Sequence, residues 1–237
     1  ATTNESDDAS LQKVVRRAEE LAQLAPENPE FMEPLPQQKY GPSRTWSDAT
    51  AKITPEYRAQ AAADSINPAV SKDITAAGYL EDSRSFAAMM NSMGLFAYNT
   101  ATGVDFTVTM RTNDGTGSGW ASREFNDASL LNTAEASGIA MNKALMSRNA
   151  KAIEPGKYTV ILEPEAANNL IGLMINGMNA RTADEGRSYL SKKGGGTKLG
   201  EKIVDERVNI YTHPQNELDP ASPWTGNRLA REKIDII

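Results

Sequence analysis

Few side chains in this sequence could do chemistry. His213 is the single histidine, and there is no cysteine. A lone imidazole can act as a general base or as one metal ligand, but a zinc centre needs several N, S or O donors together. Beside Pro214, and with no carboxylate cluster near it in the chain, His213 reads as a loop residue. Glu163 and Glu165 flank Pro164. Paired carboxylates can divide acid and base work, yet at a proline that opens a helix they suit the positive end of the helix dipole. Gly115-Thr116-Gly117-Ser118-Gly119 has the glycine content of a phosphate loop, but no Lys-Ser/Thr follows it and no βαβ unit surrounds it. Ser118 also lacks the Gly-x-Ser-x-Gly pattern of a nucleophile elbow. The richest charged run is Arg181-Thr182-Ala183-Asp184-Glu185-Gly186-Arg187. It reads either as a loop shaping a peptide channel or partner interface, with Arg181, Asp184, Glu185 and Arg187 as contacts, or as a solvated connection. Glu19-Glu20 reads as a solvated helix face.

Composition narrows the classes. The chain has 237 residues, 39% of them hydrophobic and 24% charged, with a formal net charge of -6. That length buries a real core. The acidic balance disfavours direct nucleic-acid binding, which needs a basic footprint. Without cysteine, disulfides, thiolate metal sites and a cysteine nucleophile are excluded from this chain. The same lack fits a reducing cytoplasm. No apolar run approaches 18 residues, so no membrane-spanning helix is predicted. The first residue is Ala1, with no initiator Met, and the last residues alternate like a strand. Both ends read as those of a fragment.

The elements that must position these residues follow from periodicity. Residues 5–25 read as a helix capped by Ser6 or Asp7, with Leu11, Val14, Val15, Ala18, Leu21, Ala22 and Leu24 on one face. Pro26 and Pro29 end it. Residues 26–50 read as an irregular connection that pins Tyr40 and Trp46 to the surface of the fold. Thr54-Pro55-Glu56 starts a helix expected to run to Ser65, before Asn67-Pro68. Residues 74–80, 85–91, 95–100 and 106–112 read as strands of an antiparallel meander, with Asn113-Asp114-Gly115 as a turn. Asp127 is expected to start a helix to Arg148, with Ala134, Gly138, Met141, Leu145 and Met146 near one face. Small residues there would let the helix sit close on a sheet. Residues 158–162, Tyr-Thr-Val-Ile-Leu, read as a strand buried on both faces. A helix from Glu165 to Met178 follows Pro164. Residues 180–200 read as a polar, Gly-rich segment, 204–211 as a strand, 213–227 as a loop, and the final residues as a further strand. The methionines at 89, 90, 93, 141, 146, 174 and 178 read as core filler. The fold class is α+β: helices on an antiparallel sheet, followed by the start of a β-rich domain.

Three ordered stretches carry a family resemblance. The first runs from Ala77-Gly78-Tyr79-Leu80 through Met90-Asn91-Ser92-Met93-Gly94-Leu95 to Asp114-Gly115-Thr116-Gly117-Ser118-Gly119-Trp120. The second joins Ser147-Arg148-Asn149-Ala150 to Glu154-Pro155-Gly156-Lys157-Tyr158-Thr159-Val160-Ile161-Leu162-Glu163-Pro164. The third joins Lys198-Leu199-Gly200-Glu201-Lys202-Ile203 to the run ending Ile234-Asp235-Ile236-Ile237. Together they resemble the TldD/PmbA family, historically called modulators of DNA gyrase. The resemblance implies a longer protein. Residues 1–150 would be the later part of its N-terminal α/β domain, and 151–237 the beginning of its C-terminal metallopeptidase-like domain.

The TldD branch of that family carries His-Glu-x-x-x-His on the helix after the strand equivalent to 158–162. Two histidines on adjacent turns can share a zinc, and a nearby glutamate can act as general base on its water. Counted without gaps, those positions fall here on Gly172, Leu173 and Gly177. None can ligate a metal or move a proton. The resemblance therefore implies a PmbA-like (TldE-like) member with no catalytic or metal residues of its own in this chain. It would be a subunit of an intracellular peptidase assembly acting on unfolded or small peptides and peptide precursors. Zinc is expected in a TldD-type partner; self-association is the other arrangement implied. The alternatives are an active peptidase with ligands outside this chain and a non-enzymatic gyrase-linked binding protein.

Overall fold

The computed structural model describes residues 1–236; Ile237, the last residue of the predicted terminal strand, lies outside them. Helix α1 spans Asp8–Leu24, and the Asp7 carboxylate accepts from Ser10 N–H at 3.0 Å as its N-cap. None of its residues is buried. An extended strap, residues 25–47, follows. Its polar groups are held by partners far along the chain: Asn91 Nδ2 donates to Leu35 C=O at 2.9 Å, Thr102 N–H to Thr45 C=O at 2.9 Å, and Phe96 N–H to the Gln37 side-chain Oε1 at 2.9 Å. Tyr40 is pinned as expected. Its hydroxyl donates to Arg228 C=O at 2.7 Å, and its ring meets Trp224 edge-on at 5.5 Å.

A short helix α2, Asp48–Ala51, was not foreseen; its Thr50 is fully buried and accepts from Ala128 N–H at 2.8 Å. Helix α3 spans Pro55–Val70, capped by Thr54. It runs past Asn67-Pro68 and does not stop at Ser65, because its last turn carries the fully buried Ala69 into the core. Pro68 there costs one bond of the final turn, where few remain to lose.

The meander is present, with three strands and not four: β1 Ile74–Met90, β2 Phe96–Thr112 and β3 Ser118–Phe125, antiparallel in the order β1-β2-β3. The predicted pairs of short strands fuse because ladder pairing, Ile74↔Thr112 through Met90↔Phe96, carries the polar stretch 81–85 along. The turn at Asn113–Gly115 connects β2 to β3, with Gly115 at φ 73°. Asp114 Oδ1 caps that turn, accepting from Thr112 Oγ1 at 2.6 Å and Thr116 N–H at 3.0 Å.

Asp127 caps a single 3-10 turn, Ala128–Leu130, and the long helix α4, Thr133–Met146, starts afresh at the Asn132 cap. Its buried face is Ala136, Ser137, Ala140, Met141 and Ala144. The predicted face is therefore rotated: Met141 lies in it, whereas Ala134 and Met146 face out. The close approach to the sheet is as expected and has a clear cause. A Cβ on Gly117 would sit 2.1 Å from Ala144 O, and one on Gly119 2.0 Å from Ala140 O. These glycines serve helix-on-sheet contact. Beneath α4 and α3 lie Ile74, Phe106, Val108, Met110 and Ala121.

Beyond residue 150 regular structure thins out. Helix α5 spans Pro164–Asn176, α6 spans Ala180–Asp184, and β4 Tyr211–Thr212 pairs with β5 Ile234–Asp235. The predicted strand 158–162 is not formed, and Ile161 is 96% exposed. A strand needs a ladder partner for its N–H and C=O groups, and none of the described residues pairs with this stretch. The predicted strand 204–211 shrinks to its last residue and Thr212 for the same reason. The methionine reading is corrected too: of the seven named, only Met141 is buried, and Met90, Met93 and Met146 are exposed. No helix among the described residues is long and apolar enough to cross a membrane.

Candidate functional site

Helix α5 and its flanks hold Glu163, Glu165, Gly172, Leu173 and Gly177. Pro164 sits at its start and Glu165 in its first turn, so the two glutamates do flank the helix N-terminus. Glu163 does not cap the helix with its side chain; it forms an ion pair with Lys143 of α4. Lys143 also donates to Trp120 C=O at 3.1 Å. One lysine thus ties α4, β3 and the entry of α5 together.

The three motif positions lie in the second half of α5. Leu173 is 72% exposed, and Gly172 has open space where a Cβ would stand. Gly177 is the residue after the last turn, and a Cβ there would lie 2.5 Å from the Tyr189 ring. Tyr189 is held in place by its hydroxyl, which donates to Met174 C=O at 2.9 Å. A zinc does not fit at these three positions: none of them carries a donor, and the Tyr189 ring covers the place where a side chain on residue 177 would project. Among the described residues, no group of three or more His, Cys, Asp or Glu side chains is placed to hold a metal. His213 is far from α5 in sequence, and its Nδ1 accepts from Gln215 N–H at 3.1 Å, so it braces a turn.

The charged run 181–187 forms a surface network. Arg181 Nη1 reaches Glu30 Oε2 at 3.1 Å and Arg181 Nε reaches Glu185 Oε1 at 2.9 Å, while Glu185 also pairs with Arg187. The Arg187 and Arg181 guanidiniums hold the Glu185 carboxyl below its usual range. Arg181, Glu185 and Arg187 are thus brought together and joined to the strap through Glu30. Asp184 stands apart from them and lines a groove of about 800 Å³ together with Leu199, Ile203, Val204 and Val208.

A second cavity, of about 900 Å³, opens at the other end of α5. One wall is β3 from Trp120 onward; the other is Glu163-Pro164-Glu165 with Asn168 and the turn Leu218-Asp219-Pro220. Glu124 lines it, and its carboxyl is pushed up, first by the Asp105 charge facing it across the ladder, then by burial and by Asp219 and Glu165. Sequence reasoning missed this cleft. Its walls come from three distant stretches, and only the strand register places Glu124 opposite Asp105.

Residues 155–237 match the family model described as the PmbA/TldA metallopeptidase C-terminal domain. No curated protein matches the chain in sequence. Among solved structures, one described as a modulator of DNA gyrase from Bacteroides thetaiotaomicron superposes with a TM-score of 0.84 at 18% identity, covering 100% of this chain and 56% of its own. A protein of the same description from Thermotoga maritima gives 0.79 at 19% identity, over 93% and 51%. TldE from Thermococcus kodakarensis gives 0.78 at 15% identity, over 99% and 54%. The chain thus spans about half the length of the structures it matches.

Proposed function

We propose that this is a TldD/PmbA-type chain with the role of the non-catalytic subunit of a metallopeptidase assembly; the family model over residues 155–237 and the fold shared with the gyrase-modulator and TldE structures support that reading. The carrying observation is α5. At the positions where the zinc-bearing branch has His, Glu and His, this helix has Gly172, Leu173 and Gly177, and the Tyr189 ring occupies the space over the last. In this reading a TldD-type partner holds the zinc and activates the water. This chain's protein completes the chamber and holds extended peptides, unfolded segments or peptide precursors, for it, in the cytoplasm. Residues 1–150 supply the later part of the N-terminal domain and residues 151–237 the beginning of the metallopeptidase-like domain. The Arg181–Glu185–Arg187 network and Asp184 sit on the subunit or peptide-facing surface.

Co-purification of the full-length protein with TldD-type proteins, followed by peptide cleavage assays with and without chelator, tests this. The expected result is cleavage only by the pair, abolished by chelator. Chelator-sensitive cleavage by this protein alone would overturn the reading in favour of an active peptidase.

A further inference from the structure

The face of the sheet that forms the core runs on past the helices that cover it. Alternate residues of a strand share a face. Ile74 of β1 and Phe106, Val108 and Met110 of β2 lie on the covered face, in the core with α3 and α4. Phe86, Ala88 and Met90 of β1 and Phe96 and Tyr98 of β2 have the same parity, so they carry that face to the far end of the hairpin. There it is bare. Phe86 is 72% exposed, Met90 73%, Phe96 56% and Tyr98 58%. The register sets Ala88 opposite Tyr98 and Met90 opposite Phe96, and the Phe86 and Tyr98 rings stack with centroids 6.2 Å apart. On the reverse face Ala97 is buried, so the exposure is one-sided.

This end of the hairpin is braced. The strap lies along β2, where Phe96 N–H donates to Gln37 Oε1 and Thr102 N–H to Thr45 C=O, and Asn91 near the tip donates to Leu35 C=O. A surface already held in shape has little ordering to lose when it binds. Charge also sets it apart. From Ser85 to Val104 no residue is charged, in a chain that is 24% charged with a formal net charge of -6. A two-fold contact sets a patch against its own copy. Over most of an acidic surface that opposes like charges, which weakens association; at the uncharged hairpin end two copies can meet without that penalty. The exposed rings and methionine present about 600 Å² per copy. Self-contact would then bury about 1,200 Å², the lower end of what a specific interface needs.

We propose that this face is a self-docking surface, through which two copies of the chain meet across a two-fold axis with one hairpin packed on the other. Phe86, Met90, Phe96 and Tyr98 of each copy interleave as the inner layer of a two-sheet sandwich. Ala88 stands at the middle of the patch, where its small side chain leaves room for a ring of the facing copy. The assignment rests on the hairpin alone and draws nothing from the metal positions of α5.

The test is sedimentation equilibrium of the full-length protein and its variants, with a thermal melt of each. The parent is expected to be a dimer. A88E and A88K each place like charges face to face, and each is expected to weaken dimerisation by about a hundredfold or more. Mixing the two in equal amounts is expected to restore the dimer, because opposite charges then meet. The uncharged variant F86A/Y98A is expected to weaken it by about tenfold or more with an unchanged monomer fold. A parent that stays monomeric at its highest soluble concentration overturns the proposal. So does a dimer that resists both the charge at residue 88 and the loss of both rings. Two further results overturn it by naming another occupant. A88E that keeps the parent's mass but melts earlier assigns the face to the remainder of the protein's own chain. A88E that remains a dimer but no longer captures a TldD-type protein assigns it to that partner.

Discussion

The stretch from Ile53 to Ala144 and the stretch beyond residue 150 obey different rules. In the first, apolar side chains from α3, all three strands and α4 meet in one core, where Val108, Met110, Ala136 and Ala140 are fully buried or nearly so, and Ile53, Val104 and Ala128 form a second cluster. In the second, Ala183, Pro214 and Pro223 are the buried residues among those described, while Ile161 and Leu199 are more than nine-tenths exposed. The second stretch is nonetheless the one that matches a family domain by sequence. About half of each matching structure lies outside the span of this chain. An apolar segment specifies burial only when the surface that buries it is present.

Substitution breaks or sharpens that contrast. Met110→Ala should cost about 2–5 kcal/mol, as for large-to-small changes at a fully buried site. Ile161→Ala in this same chain should stay within about 0.5 kcal/mol. Urea unfolding of both compares the two stretches directly, and an Ile161 variant as costly as the Met110 one would mean that the second stretch packs a core of its own. Gly119→Ala comes next, at about 1–3 kcal/mol, because the added methyl must push the Ala140 backbone away from β3.

Smaller effects probe the cleft between the two stretches. The raised Glu124 carboxyl faces Asp105, Asp219 and Glu165. A carboxylate whose folded pKa lies above its unfolded one lowers stability at every pH where it is charged, so E124Q should raise the melting temperature slightly at pH 7. Its gain should vanish as the pH falls below the usual glutamate range. A melting temperature that falls instead would remove the like-charge account. A second pH effect is at Asp114, whose carboxyl is held below its usual value by Thr112, Arg148 and Thr116. Here the sign is opposite: the contribution is present above the ordinary aspartate value near 3.8 and is lost as pH falls toward the lower folded value. Thermal melts from pH 6 to pH 2 should therefore be flatter for D114N than for the parent.

The N-terminal stretch was more legible than the rest for a physical reason. Caps at Asp7 and Thr54 and the turn at Asn113–Gly115 are local chemistry, and each stands where the residues place it. Strand lengths were not legible, because residues 81–85 are polar and are held by pairing with 101–105 and not by their own preference. The α4 face was misread because its buried residues are mostly alanine and serine, which carry little hydrophobic signal. At the candidate site, Gly172, Leu173 and Gly177 were found by counting along a family pattern. The Tyr189 ring over Gly177 and the pairing of Glu124 with Asp105 arise from contacts across 12 and more residues, which no local pattern reports.

The role proposed above is participation in peptide cleavage with the zinc held by a partner. Metal analysis of the full-length protein, purified alone in zinc-containing medium and freed of loosely bound ions, tests it most directly. The account predicts far less than one zinc per chain, and one zinc per chain held without a partner would contradict it.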